Sequence, residues 1–304
     1  MPGVERYSEL ESYFALRNPP TGTAAHPRPH KNIFGDDTMT GALARSLAIL
    51  EYLAAHPEGM PLSLMADELE IPRSACHRLL AELHHCGYVR QHREQGDYVL
   101  TTKLAALGLS FLATSGIVDM AQPILDRLAD ISGELVRLAI VDGDRLTWVA
   151  KAQGARKGLR YDPDMGMDAI LSCSATGHAW MLTMTDERAL ELVARQGFGK
   201  PKDFGPNAPT TIKELLGILH AARERGYSMI SEVFAPGMTA MAAPVQRRNH
   251  PAIGVISIAG PLVRLSEKRM KELGPALLTA ASELAATSVA STLFNTPFAG
   301  AGRG

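Results

Sequence analysis

The stretch from Pro61 to Leu83, PLSLMADELEIPRSACHRLLAEL, constrains this chain more than any other. It holds two short helical patterns separated by Glu70-Ile71-Pro72. In the first, Ser63 stands as an N-cap, and Leu64, Ala66 and Leu69 supply an apolar face. Pro72 disfavours helix at the residue before it. It suits a first helical turn, where its missing N–H would be unpaired anyway, so a second helix is expected from Pro72. Cys76, Leu79, Leu80 and Leu83 follow at i, i+3, i+4 and i+7, one buried helical face. Arg73, Ser74, His77 and Arg78 then face outward. Short and donor-rich side chains on the exposed face of a second helix are what a helix-turn-helix presents to a DNA groove. On these two helices alone, a helical hairpin with a solvated polar face fits equally well.

The flanks decide between the two. Thr40 to His56 reads as a helix, with Leu43, Leu47, Leu50 and Leu53 at helical spacing and Ile49 nearby, ended by His56-Pro57-Glu58-Gly59. Beyond Gly87, the runs Tyr88–Gln91 and Asp97–Leu100 flank a polar turn containing Gly96, which predicts a β-hairpin. Its tip carries Arg90, His92 and Arg93, placed to lie along a phosphate backbone. Three helices and then a hairpin is the order of a winged helix-turn-helix, expected over residues 39–101. Residues 40–101 carry five arginines against eight carboxylates. Any basic footprint for DNA must therefore be local, on the second helix and the wing, with affinity depending on more than one copy.

Composition narrows the class. The 304 residues suffice for one to three domains. A formal net charge of -1 rules out a global polycation. No run of about 18 apolar residues is present, so no membrane span is expected. The start of the chain shows no basic-then-apolar secretion signal. The cysteines are Cys76, Cys86 and Cys173, an odd and sparse set that suggests a reducing cytoplasm. No cluster has metal-ligand spacing, and no cofactor or metal is expected. Residues 1–38, rich in Pro and small residues, read as a flexible extension, so folded structure should begin near Met39. Residues 291–304 read as a disordered tail.

The second half has a different texture. Residues 102–117 predict a linker helix whose apolar residues cover more than one face, as expected of a helix packed on both domains or on a second subunit. Residues 118–290 predict an α+β domain, an antiparallel sheet flanked by helices. Val118–Ser132 is amphipathic, with Ile124, Leu125, Leu128 and Ile131 buried. Strands at Leu135–Val141 and Arg145–Lys151 are joined by Asp142-Gly143-Asp144, a strong hairpin turn. Ser172–His178 leads into a helix at Ala179–Thr185. Helices follow at Asp186–Gln196 and at Thr210–Arg225, the latter with Thr211 and Glu214 at capping-box spacing. Strands are expected at Tyr227–Phe234, Met238–Gln246 and Ile253–Ala259, then a last helix at Ser266–Thr287.

Ala42–Leu50, Ile71–Leu80 and Gly87-Tyr-Val89 resemble the N-terminal domain of the IclR family of bacterial transcriptional regulators. Leu171–Ala179, Arg225-Gly-Tyr227, Met241–Val245 and Ile256–Pro261 resemble its effector domain in order and spacing. The resemblance implies a winged helix-turn-helix joined by a linker helix to a GAF-like effector domain. It also implies a homodimer or homotetramer on palindromic operator DNA, acting as repressor or activator in response to a small organic acid. On the DNA side, Arg73, Ser74, His77 and Arg78 would reach bases and phosphates, and Arg90 and Arg93 would position the wing. On the effector side, the resemblance carries over to Tyr161, Ala175, Thr176, Met238, Ala240, Ser257 and Ala259. The helix start at Ala175 and Thr176 would hold a carboxylate. His178 stands where the family usually has lysine, and Ala240 and Ala259 are less polar than in some members. This favours a larger effector with an apolar or aromatic body against Tyr161 and Met238, with Arg137, Arg156 or Arg160 as counter-charge.

Two other readings compete. Cys173 or Ser174 with His178 would make a nucleophile and base of an enzyme, although no acidic third member and no nucleophile elbow accompany them. A winged helix used only for protein contacts would suit the net acidic first domain.

Overall fold

Glu70 lies in the left-handed region at φ 54°, and this one residue sets the turn between the two helices of the central motif. The structure, a computed structural model, describes residues 41–92, 96–163, 165–166 and 168–287. The expected extension at 1–38, the tail at 291–304 and Arg93 lie outside the described residues. By contacts the chain divides into two units, one ending at Phe111 and one beginning at Leu112.

The first unit contains α1 (Ala42–Ala54), α2 (Leu62–Glu68), α3 (Arg73–His85) and a hairpin of β1 (Val89–Gln91) and β2 (Tyr98–Leu100). At the end of α2, Ile71 N–H donates to Ala66 O at 2.9 Å and Glu70 N–H to Asp67 O at 3.4 Å. This is a Schellman closure with glutamate where glycine is usual. The buried Ile71 locks it, and α3 starts immediately afterwards with Pro72 as its N-cap residue. Cys76, Leu79, Leu80 and Leu83 are buried, as the spacing predicts. They pack with Ile49, Leu50, Tyr52, Leu53, Met65, Ala66 and Val89 into one core.

Three expectations change here. The N-cap of α2 is Pro61, not Ser63. Leu64 is exposed, because the buried stripe runs through Met65 and Ala66, with Leu62 and Leu69 packed beside them at i, i+3, i+4 and i+7. On α1, Leu43 and Leu47 are 74% and 50% exposed. Burial there begins only at Ala48, in the half of the helix that meets the core.

Helix α4 (Lys103–Ser115) follows the hairpin. Lys103 Nζ donates to Cys86 O at 2.6 Å and sits 4.6 Å from the Tyr88 ring centre, fixing the start of α4 against the wing. Leu104, Leu107, Leu109 and Phe111 along it are exposed. Gly116, at φ 67°, ends it, and α5 (Ile117–Ser132) begins.

The second unit is built on a five-stranded sheet in the order β4-β3-β7-β6-β5, antiparallel throughout. The strands are β3 (Leu135–Asp142), β4 (Arg145–Gln153), β5 (Ser228–Ser231), β6 (Met238–Gln246) and β7 (Ala252–Pro261). Strand residues alternate between faces. Val136, Leu138, Ile140, Met241, Ala243, Ile256 and Ile258 pack with α5 and the last helix, α9 (Glu267–Thr287). Ala139, Trp148, Ala242 and Val255 face α6 (Ala175–Met181), α7 (Asp186–Gln196) and α8 (Ile212–Arg225). Both faces are therefore covered, which explains why β3 is an almost unbroken apolar run.

Local differences have local causes. Ile131 is exposed, lying off the buried α5 stripe of Ile117, Ala121, Ile124, Leu125, Leu128 and Ala129. Strand β5 stops at Ser231 because Glu232 turns to φ 53°. Helix α6 starts at Ala175, four residues before the position its hydropathy suggested, since Ser174 Oγ caps it by accepting from Gly177 N–H at 2.9 Å. On α8, Thr211 caps Glu214 N–H, while Glu214 Oε2 reaches back to Thr210 N–H at 2.8 Å.

Candidate functional site

In the first unit, Arg73, Ser74, His77 and Arg78 lie on the exposed side of α3. Arg90, at the centre of β1, is exposed as well. The five described residues of the expected DNA face thus sit on the two elements that a winged helix-turn-helix uses. Arg73 is the exception in detail: its Nη2 is 3.1 Å from Asp67 Oδ2, so it is already engaged by α2.

In the second unit, small residues hollow out one face of the sheet. The register sets Leu135 beside Ala259 and Ala259 beside Ala240, which in turn faces Ile230; the next row sets Arg137 beside Ser257 and Ser257 beside Ala242. Alanine and serine at the centre of these rows leave a depression that larger side chains would fill. Above it lies the start of α6. The resulting cavity encloses about 440 Å³ including its open mouth, lined by Arg137, Trp148, Tyr161, Ser174, Ala175, Thr176, Ile230, Phe234, Met238, Thr239, Ala240, Ser257 and Ala259. All seven residues named from the sequence for the effector site line this one cavity.

The sequence reading missed Trp148, Ser174, Ile230, Phe234 and Thr239 as lining residues. Trp148 and Ile230 had a usable signal, since each falls on the strand parity of this face. Phe234 did not, because it follows the break at Glu232. Among the three arginines offered as counter-charge, only Arg137 lines the cavity. Arg156 pairs with Asp130 at 2.8 Å and Arg160 lies 3.9 Å from Asp162, both exposed.

Arg137 is 5% exposed. Its guanidinium carbon lies 3.9 Å from the Trp148 ring centre and 5.9 Å from that of Tyr161. Such contacts contribute on the order of 1–2 kcal/mol when desolvated. Arg137 Nε and Trp148 Nε1 are both buried without a hydrogen-bond partner. Burial lowers the pKa of Arg137 from its ordinary value, opposed by Tyr161 and Asp162. Burial raises that of Tyr161, which keeps the phenol neutral, against the pull of Arg137.

The start of α6 is less open to a ligand than expected. Its Ser174 hydroxyl already takes Gly177 N–H, and the helix is only seven residues long. The nucleophile-and-base reading of the same segment fails on geometry. His178 Nε2 donates to Ser172 O at 2.8 Å, and Nδ1 has no partner. Burial pushes the His178 pKa down to about 4 and pushes the Cys173 thiol up, so the imidazole is neutral and the thiol un-ionised. Ser174 is committed to the helix cap. Among the described residues, no group of three or more His, Cys, Asp or Glu side chains is arranged to hold a metal ion.

A winged helix-turn-helix followed by an α+β domain with a lined cavity defines a two-domain transcriptional regulator. Residues 42–93 match the family model described as IclR helix-turn-helix domain, and residues 109–286 match Bacterial transcriptional regulator IclR C-terminal. The chain belongs to the IclR family of bacterial transcriptional regulators. It is 29% identical over 244 residues to the transcriptional repressor IclR of Escherichia coli, covering 80% of this chain and 88% of that protein. It is 29% identical over 260 residues to the transcriptional regulator BhcR of Paracoccus denitrificans, covering 85% and 91%. The fold matches that of an IclR homologue from Microbacterium hydrocarbonoxydans solved with 4-hydroxybenzoate, at TM-score 0.68 and 19% identity, over 83% of this chain and 100% of that one. These relatives are named regulators and repressors, and the chain is a regulator rather than an enzyme.

Proposed function

We propose that the protein binds palindromic operator DNA in the cytoplasm as a homodimer or homotetramer, and that a small organic acid entering the cavity alters that binding. The observation that carries this reading is the cavity: seven residues from separate segments converge on it, and a buried cation stands in its wall. The related Microbacterium protein was solved with an aromatic acid, which supports the ligand class. Two features support the oligomer. The basic side chains of the DNA face are few, so one protomer holds few phosphates and a second copy is needed for affinity. Leu43, Leu47, Leu107, Leu109 and Phe111 are exposed apolar groups that a second copy would cover.

In this reading Arg78, Arg73, Ser74 and His77 contact the major groove, and Arg90 and Arg93 contact phosphates. Gel shifts on DNA upstream of the neighbouring genes test it, with wild type and Arg78→Ala compared at matched salt. Arg78→Ala is expected to weaken operator binding at least about tenfold with its melting temperature unchanged. Equal affinity for operator and scrambled DNA would reject the reading.

A further inference from the structure

Resting on the reading of this cavity as the effector site, we infer that Arg137 selects the effector by charge: the ligand is a monocarboxylate with a flat apolar body, an aryl or arylalkyl acid. Neither the matching dicarboxylate nor the uncharged amide is accepted.

Elsewhere in the same unit, Arg264 holds Glu134, Arg223 holds Asp186 and Arg145 holds Asp168. Arg137 is the most deeply buried of these arginines, yet among the described residues no carboxylate lies within ion-pair distance of it. A buried charge left without a counter-ion is costly. The stacking on Trp148 and Tyr161 covers the faces of the guanidinium. Tyr161 and, at longer range, Asp162 favour the charge, but at the guanidinium edge Nε stays unpaired. Trp148, stacked against it, adds a second unpaired donor in Nε1. Two orphan donors beside one buried positive charge call for an acceptor that is anionic and has more than one oxygen. A carboxylate meets a guanidinium edge in this way, by two charge-assisted bonds.

The rest of the lining fixes the remainder of the molecule. Among the described residues, no aspartate or glutamate lines the cavity and Arg137 is its one cation. A second carboxylate would therefore be buried without a cation of its own. Ile230, Phe234 and Met238 add apolar lining, and Ala240 and Ala259 are small. That surface suits a planar apolar body. An amide isostere would fit the same space but leave the guanidinium charge uncompensated.

The test uses the full-length protein, with benzoate, benzamide and phthalate as matched probes and phenylacetate and 4-hydroxybenzoate as further monocarboxylates. Binding is read by calorimetry and by thermal shift. At least one monocarboxylate is expected to bind, with the amide and the dicarboxylate about tenfold or more weaker. Arg137→Gln, which removes an uncompensated charge and so should fold, is expected to lose that preference. Arg137→Lys, which keeps the charge without the fork, should retain it in weakened form. Absence of binding by every monocarboxylate overturns the inference. So does amide or dicarboxylate binding within about threefold of the acid, or undiminished binding by a folded Arg137→Gln. Operator gel shifts on the same samples separate the two levels. Intact operator binding that answers to a neutral or dianionic compound rejects the charge rule alone, whereas absent operator binding withdraws the regulator reading and this inference with it.

Discussion

Arg73 at the start of α3 is tied to Asp67 near the end of α2, Nη2 to Oδ2 at 3.1 Å. Both side chains are more than half exposed, so the pair adds little stability, of order a few tenths of a kcal/mol. In the proposed DNA-binding reading its larger effect is on DNA: it neutralises one of the few cations on the face proposed to meet the groove. Asp67→Asn should release Arg73 to a phosphate. The expected result is tighter binding to non-operator DNA at low salt and a log–log salt slope steeper by about one. Fluorescence anisotropy over a salt series reads both, and an unchanged slope would mean Arg73 does not reach the backbone.

Glu134 is 3% exposed and is held by Arg264 through two bonds, Nε to Oε1 at 2.6 Å and Nη2 to Oε2 at 2.8 Å. The carboxylate also occupies the space above Gly260, where an added Cβ would lie 2.5 Å from Oε2. The pair therefore joins the start of β3 to the turn after β7. Arg264→Ala leaves a buried carboxylate unpaired. Because the arginine side is partly solvated, the cost should be about 2–3 kcal/mol, somewhat below that of a fully buried pair. Urea unfolding measures it; a loss below about half a kcal/mol would show that water replaces the arginine.

The elements of this fold were legible wherever one periodicity ruled. The buried face of α3 and the 135–151 hairpin follow from spacing and turn residues alone. Failures came where packing, not pattern, decides. Leu43 and Leu47 keep the helical stripe of α1 but lie ahead of the part that meets the core. Leu64 and Ile131 look buried by composition and sit off the real stripe. The start of α6 escapes the hydropathy pattern because Ser172–Ser174 carries little signal, and a side-chain cap sets the boundary. The cavity residues came from the resemblance, residue by residue. Arg137 had a signal of its own: a single charge in the middle of LVRLAIV, a run that both faces of the sheet bury. Sequence alone left it level with Arg156 and Arg160, because their surface partners Asp130 and Asp162 become visible only in three dimensions.

Gly177 explains part of the Ser-Ala-Thr-Gly segment. A Cβ there would lie 2.6 Å from Leu171 Cα and 2.8 Å from Leu171 O. Backbone meets backbone at that point, so no side chain can yield. Gly177→Ala must push α6 away from the 170–171 turn, shifting Ala175 and Thr176 in the cavity wall. The expected cost is about 1–3 kcal/mol in unfolding free energy. Ligand-induced thermal stabilisation should fall with it. A variant as stable as wild type would show that α6 moves without resistance.

His178, fully buried one turn into the same helix, makes that wall sensitive to acid. Its pKa is pushed down to about 4 from 6.5 by burial, with the bond to Ser172 O pulling the other way. Nε2 donates to a carbonyl and must carry the hydrogen, so the folded state holds the neutral tautomer with Nδ1 bare. The unfolded chain takes up a proton near 6.5 that the folded chain refuses until about 4. Stability from this group is complete above the unfolded value and falls as the pH drops between the two, by about 3 kcal/mol in total. Asp186, whose carboxyl His220 and Arg223 hold below its ordinary value, adds a loss in the same direction at lower pH. His178→Gln keeps a donor for Ser172 O but does not titrate, so the wild-type minus variant curve of unfolding free energy isolates the histidine. That difference should be flat above about pH 6.5 and decline steadily below it. A flat difference down to about pH 4.5 would mean that the imidazole finds water in the folded protein and titrates as in the open chain.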